Sequence, residues 1–197
     1  MIDYVRGEIS ELLPAYAVLE THGVGYKMQI SLYTYSAIQG KKEARLYVFE
    51  SIREDAYLLY GFADRQEREL FEMLLSVSGV GAATALTILS SFSPDELSRV
   101  IRNEEVNLLK TAKGIGQKTA QRIIVDLKDK MGRVALSGGN APMGGAGARG
   151  EVYEEAVQAL TMLGFSAAPA QKVVHSLLQE LPEAPVERII KEALKRL

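Results

Sequence analysis

The chain has 197 residues, 47% of them hydrophobic and 24% charged, with a formal net charge of −2 and no cysteine. This balance fits one to three small soluble domains and excludes a disulfide framework, a thiolate zinc site and a cysteine nucleophile. The N-terminal stretch MIDYVRGEIS has no apolar core, and no window approaches 18 consecutive apolar residues, so a cytoplasmic protein without a membrane span is expected.

Residues 2–62 contain short alternating or β-branched runs, YVRGEI, YAVLET, YKMQISL and ARLYVFESI, separated by turn signals at Leu13-Pro14, Gly23-Val24-Gly25 and Gly40. About five strands are expected. A sheet this small must close to protect its edges, and a five-stranded barrel of the OB type is the economical solution, with an SH3-like barrel as the alternative. Near the end of this region, SIREDAYLLYGF places Glu54 and Asp55 between two apolar runs, where they read as polar residues at a hairpin tip. A metal-dependent nuclease site is disfavoured there, since two carboxylates rarely suffice for a catalytic metal pair.

From residue 64 to about 133 the period becomes helical. ERELFEMLLSV clusters Leu70, Phe71, Leu74 and Leu75. SPDELSRVIRNEE opens another helix, with Ser93 as N-cap, Pro94 at the first position and Glu96 completing a capping box. TAQRIIVDLKDKM sets Ala120, Ile123, Ile124, Leu127 and Met131 on one stripe, while Lys118 and Arg122, four apart, share another.

This region also repeats itself. LLSVSGVGAATALTIL at 74–89 aligns without gaps on LKTAKGIGQKTAQRII at 109–124, identical at Leu74/Leu109, Gly79/Gly114, Gly81/Gly116, Thr84/Thr119, Ala85/Ala120 and Ile88/Ile123. The pattern is helix, Gly-apolar-Gly, helix, twice. A glycine past a helix end can adopt the left-handed backbone, and a second lets the next helix start lie close to another molecule. The N–H groups and positive dipole end of that helix then suit a phosphate oxygen. Val80 and Ile115, between the glycines, are expected to point inward. A single Gly-x-Gly can simply turn a corner between packed helices. Two copies 35 residues apart favour a tandem helix-hairpin-helix that grips phosphates without reading bases.

The charge distribution agrees. Residues 1–63 and 151–197 are each acidic, but residues 106–133 carry Lys110, Lys113, Lys118, Arg122, Lys128, Lys130 and Arg133 against only Asp126 and Asp129. Gly79, Val80, Gly81, Gly114, Ile115, Gly116, Lys118, Thr119 and Arg122 are therefore the expected phosphate-backbone contacts, DNA-binding residues if the nucleic acid is DNA.

Residues 134–150 read as a flexible Gly-rich linker, six of the last fourteen being Gly. Those fourteen span roughly 20 Å as a random coil. Residues 151–197 then read as three short helices, about 151–163, 169–180 and 184–196, forming a domain suited to docking more than catalysis.

Catalytic alternatives find little support. GIGQKT lacks the spacing of a Walker A loop, His22 and His175 have no partners at ligand spacing, and no Ser-His-Asp or metal cluster emerges. Asp126, the nearest candidate for a base-excising Asp, sits in DLKDK on an expected solvated face. A structural protein gripping ribosomal RNA remains as a further reading of the hairpins.

REDAYLLYGF, SGVGAA, KGIGQKTAQRIIVDLKDK, the Gly-rich segment and ALTMLGF, in that order, resemble the RuvA family, the Holliday-junction-binding subunits of the bacterial branch migration complex. The resemblance covers essentially the whole chain. It implies an OB barrel over 1–63, a tandem helix-hairpin-helix domain over 64–133, the linker, and a mobile three-helix domain over 151–197 that docks the RuvB motor ATPase, with Leu163 and Phe165 as contact candidates. It implies a tetramer, or an octamer of two stacked tetramers, holding a four-way junction open in recombination, repair and the SOS response. RuvC resolvase is an implied further partner. Neither cofactor, metal nor intrinsic catalysis is implied. Glu54 and Asp55 become an acidic pin, gathered by four-fold symmetry where the strands cross. One departure bears on mechanism: many relatives carry a basic residue after the first Gly-x-Gly, whereas Ala82 and Ala83 stand here, leaving that hairpin its backbone donors and helix dipole alone.

Overall fold

The computed structural model describes residues 1–137, 147–182 and 184–197. The chain divides into two compact units, Met1–Gly139 and Asn140–Leu197, the boundary itself lying outside the described residues. The first unit opens with strands β1 (Tyr4–Leu13), β2 (Tyr16–Thr21), β3 (Val24–Ile30), β4 (Glu43–Ile52) and β5 (Tyr57–Phe62), closed into a barrel in the order β1-β2-β3-β5-β4. All pairings are antiparallel except β3 with β5. This is the OB-type closure, and the SH3-like alternative falls away.

Period-two alternation sends Val5, Ala17, Leu19, Met28, Ile30, Leu46 and Val48 into the barrel core. Long β1 pairs with both β2 and β4, and its register with β2 shifts between Ile9 and Glu11, a bulge that lets it bend around the barrel. Gly7 lies where two strand backbones press together: a Cβ there would collide with the Glu20 carbonyl oxygen. The β2–β3 turn is two residues, His22 and Gly23, both at positive φ, as tight hairpins require. Gly25, expected in that turn, belongs instead to β3.

Sequence periodicity missed one element. Helix α1 (Leu32–Ile38) lies between β3 and β4 and is only seven residues long, too short to show a helical stripe. Its start is nevertheless well marked: Ser31 is the N-cap, and its hydroxyl accepts from the Thr34 N–H at 3.0 Å.

Five helices follow in the same unit: α2 (Arg65–Leu75), α3 (Ala82–Ser91), α4 (Pro94–Arg102), α5 (Val106–Leu109) and α6 (Gln117–Ser137). The α4 capping box of Ser93 and Glu96 is formed in both directions. Ala120, Ile123, Ile124, Leu127 and Met131 are all buried on one stripe of α6.

Barrel and helices share a core through α2. Phe71 stacks among three barrel aromatics, with ring centroids 5.3 Å from Phe49, 5.1 Å from Tyr60 and 4.9 Å from Phe62. One turn earlier, Glu67 is fully buried and joins the two parts by polar contacts. Its carboxylate accepts from the Ser31 hydroxyl, from Thr34 Oγ1 at 2.5 Å and from the Ala63 N–H at 3.0 Å. Beside it, Arg68 donates to the Asp3 carboxylate at 2.7 Å and to the Asp3 carbonyl at 3.0 Å, while Tyr33 donates to Asp64 at 3.1 Å.

The second unit holds α7 (Gly147–Met162), α8 (Ala167–Glu180) and α9 (Val186–Ala193) around Ala156, Leu160, Ala170, Val174, Leu177, Ile189 and Ala193. Helix α6 runs on to Ser137 and α7 begins at Gly147, so both ends of the segment expected as linker are helical. Its middle, residues 138–146, lies outside the described residues.

Burial pushes the Glu67 carboxyl up to about 7, outweighing the donors from Ser31, Thr34 and Ala63. A carboxyl raised in the folded state binds its proton more tightly there than in the unfolded chain. Stability is therefore greatest below the ordinary value of 4.5 and falls as pH rises through about 7. Between about pH 5.5 and about pH 8 the native chain should lose about 2 kcal/mol that Glu67→Gln does not lose. Denaturant titrations of both proteins across that window check this, and parallel pH profiles would contradict it.

Candidate nucleic-acid interface

The sequence repeat is also a repeat of hydrogen bonds, displaced by 35 residues. Val77 N–H donates to Leu74 O at 3.1 Å, as Ala112 N–H does to Leu109 O at 3.3 Å. The Val80 to Val77 and Ile115 to Ala112 bonds match at 3.0 and 3.2 Å, and the Ala85 to Gly81 and Ala120 to Gly116 bonds are both 2.9 Å. Even the hydroxyls correspond: Ser76 Oγ donates to Met73 O and Thr111 Oγ1 to Leu108 O, each at 2.7 Å. The structure therefore contains two copies of one backbone hairpin, α2 to α3 and α5 to α6.

The two glycines of each copy do different work. Gly79 and Gly114 have φ of +89° and +84°, a backbone that a side chain would strain. Gly81 is the N-cap of α3 with φ of −93° and ψ of 172°, which any residue can adopt, and it makes no side-chain cap. A Cβ on Gly81 or on Gly116 would meet nothing within 4 Å. Gly81 is thus a compatible N-cap whose surface is left open by the rest of the chain. Val80 and Ile115, each 6% exposed, pin the loops inward.

Beyond each open glycine a helix begins, and the first N–H groups of α3 and α6 have no intrahelical acceptor. Neither helix has an acidic residue in its first turn, so nothing there competes with an incoming anion. On α6, Lys118 is exposed and Thr119 partly buried in the first turn, and Arg122 follows one turn later on the surface. Lys118 corresponds to Ala83 of the first copy.

Arg122 belongs to the second hairpin's helix but reaches the first hairpin, where its Nη1 donates to Ser78 O at 3.4 Å. Lys130, two turns further, donates to Ser76 Oγ at 3.3 Å. Lys130 falls in the basic segment but not among the expected DNA-binding residues; its spacing from Arg122, four residues either side of Asp126, is the signal that points to it. Asp126 itself is exposed on α6. Lys128 pairs instead with Glu104, which holds the turn after α4 with φ of +57°.

Glu54 and Asp55 are both exposed at the tip of the β4–β5 hairpin, beyond the last paired residues Ile52 and Tyr57. The Arg53 N–H closes the tip onto Ala56 O at 2.8 Å. Tyr57 and Ile52 are 58% and 73% exposed, and the Tyr57 hydroxyl donates to Glu50 at 2.6 Å, bracing the strands below the carboxylates. Among the described residues, no three or more His, Cys, Asp or Glu side chains cluster so as to hold a metal, and no helix is long and apolar enough to cross a membrane.

In the second unit, helix α7 ends at Gly164, with φ of +97°, and the Phe165 N–H returns to Leu160 O at 3.1 Å. This turn separates two residues that stand together in the sequence motif. Phe165 packs against the core of the unit, whereas Leu163 is 60% exposed beside an even more exposed Met162.

Residues 1–61 match the family model described as RuvA N terminal domain, residues 71–129 that of a SAM-like helix-hairpin-helix tandem, and residues 151–197 that of RuvA, C-terminal domain. A protein of Bacteroides thetaiotaomicron named Holliday junction branch migration complex subunit RuvA is 63% identical, with both chains covered in full. Relatives with the same name from Bacteroides fragilis and Parabacteroides distasonis are 61% and 51% identical, again over the full length of both chains. The chain belongs to the RuvA family. The RuvA N-terminal match falls on the closed barrel, the tandem match on both repeated hairpins, and the RuvA C-terminal match on the three-helix unit.

The two kinds of hairpin glycine should separate in a stability assay. Gly79→Ala or Gly114→Ala forces a Cβ into the left-handed region and should cost about 1–2 kcal/mol. Gly81→Ser supplies a favoured N-cap in open space and should change stability by less than about 0.5 kcal/mol or raise it. Equal losses for Gly79→Ala and Gly81→Ser in urea melts would show that both glycines serve the fold.

Proposed function

We propose that this chain binds four-way DNA junctions by shape, holds their arms apart, and presents them to a motor ATPase for branch migration in recombination and repair, performing no bond-making chemistry itself. The observation that carries this reading is the pairing, within one compact unit, of two phosphate-ready hairpins with an exposed acidic tip. The full-length relatives named as Holliday junction branch migration subunits support it.

The hairpins supply affinity. Each offers backbone N–H donors and a helix dipole at an open glycine, which suits a phosphate and is indifferent to base sequence. Lys113 and Lys118, both exposed, add charge to the second.

The acidic tip supplies discrimination. In a four-fold assembly, Glu54 and Asp55 of each copy would place eight carboxylates around one centre. Unit charges about 4 Å apart interact by about 1 kcal/mol in bulk water and about 4 kcal/mol at an effective dielectric of about 20. Several carboxylates facing phosphates would therefore penalise a continuous duplex lying across the centre and favour four separated arms. Duplex and junction would use the same hairpins; only the duplex would meet the repulsion.

The second unit docks the motor, RuvB in this family. Met162 and Leu163 are the most exposed apolar side chains of this unit and are offered for this contact, while the partly buried Phe165 packs against the core behind the turn. Assembly as a tetramer or stacked octamer, and cooperation with the RuvC resolvase, belong to the same proposal.

Gel shifts comparing a four-way junction, linear duplex and structured RNA test the reading. Strong junction preference, with no product formed in Mg²⁺, is expected; cleavage of the junction or a preference for RNA would overturn it. In the same assay, Glu54→Gln with Asp55→Asn should leave junction binding intact and tighten duplex binding. An unchanged junction-to-duplex ratio would remove the discriminating role from the tip.

A further inference from the structure

We infer that α6 supplies the phosphate-binding cations of both hairpins, so that Arg122 and Lys130 serve the first hairpin although they follow the second in the chain. The inference rests on the reading above, that the hairpins hold DNA phosphates.

The observations begin with what the first hairpin lacks. At the 35-residue offset, Lys113 and Lys118 of the second copy correspond to Ser78 and Ala83 of the first, both uncharged. Its backbone is as open to a phosphate as the second, with Gly81 facing empty space, but it has no cation on its own loop or helix start. The Arg122 guanidinium lies at one of these two uncharged positions, donating to the carbonyl of Ser78. Lys130 donates to Ser76 at the start of the same loop. Both side chains are exposed, so water or a ligand reaches them.

The lending runs one way. The first-copy counterparts of Arg122 and Lys130 are Thr87 and Asp95, so α3 and α4 return no cation from those positions. A guanidinium has five N–H donors in a rigid fork. One donated to Ser78 O holds the group against the loop and leaves others for a phosphate oxygen approaching the α3 N-terminus. Two contacts from positions eight residues apart on one helix reach the same loop, and the buried stripe of α6 fixes the helix that carries them.

A double-mutant cycle on the full-length chain, read by fluorescence anisotropy with a labelled four-way junction, tests this. Gly81→Val obstructs the first hairpin and Gly116→Val the second, each adding a side chain where the chain itself has space. Arg122→Gln removes the charge, and because a purely structural strut would weaken binding without changing the number of phosphates neutralised, the salt dependence separates the two roles. In the parent, Arg122→Gln should weaken junction binding by about fivefold to tenfold near 0.1 M salt and make the log–log salt dependence shallower by about 0.9 for each phosphate no longer neutralised. In the Gly116→Val background it should keep that cost; in the Gly81→Val background it should cost less than about twofold. Lys130→Gln should show the same partition, and Arg122→Lys should restore part of the affinity.

The inference is wrong if Arg122→Gln keeps its full cost beside Gly81→Val, loses it beside Gly116→Val, or leaves both affinity and salt slope unchanged. If neither glycine variant weakens junction binding, the hairpins do not hold phosphates. That failure of the underlying reading is visible before any cation is changed. Circular dichroism of each variant separates these outcomes from unfolding.

Discussion

Everything this chain presents to a ligand depends on one joint, where α2 is seated against the barrel. Phe71 inserts among Phe49, Tyr60 and Phe62, and one turn away Glu67 draws together Ser31 and Thr34 of α1 and the backbone at Ala63. The aromatic contacts supply buried area, which is strong but tolerant of small rotations. Directional hydrogen bonds to a buried carboxylate are not tolerant: a rotation that breaks one leaves a charge or a hydroxyl uncompensated in a dry interior. Together they make the barrel and the hairpin helices a single body. The acidic tip is an extension of the barrel and the first hairpin is an extension of α2, so the joint sets where one lies relative to the other.

The hairpins show how little sequence identity a backbone device needs. Only six of sixteen positions agree between the copies, yet the turn, cap and hydroxyl bonds recur one for one. What must be kept is a glycine able to take positive φ, a buried apolar residue after it, and an open glycine before the next helix. The side chains that add charge are free to differ. They do differ here, the second copy carrying Lys113 and Lys118 where the first carries Ser78 and Ala83.

This freedom also accounts for an acidic chain with a basic working face. A net charge of −2 describes the chain as a whole, whereas a phosphate responds to charges within roughly a Debye length, about 8–10 Å at moderate salt. Cations outnumber carboxylates in the loop after α5 and on α6, whereas the barrel and its exposed hairpin tip are acidic.

Elements whose cause is local are legible in the order of the residues. The strand runs, the Ser93–Glu96 capping box, the apolar stripe of α6 and the twice-repeated Gly-apolar-Gly all follow from periodicity, capping and φ preferences within a few residues. The type of barrel follows from a global constraint, the need of a small sheet to close its edges. Helix α1 is not legible, because seven residues cannot display a 3.6-residue period and its N-cap serine resembles any turn serine. The remainder is decided by which segments the fold brings side by side. Glu67 reads as an ordinary surface glutamate until three donors from other segments surround it. Leu163 and Phe165 are equivalent in sequence until Gly164 turns one outward and lays the other against the core. Arg122 and Lys118 share a helix face, yet α6 carries Arg122 across to Ser78, because which loop a side chain touches is set by what lies beside its helix and not by what precedes it in the chain.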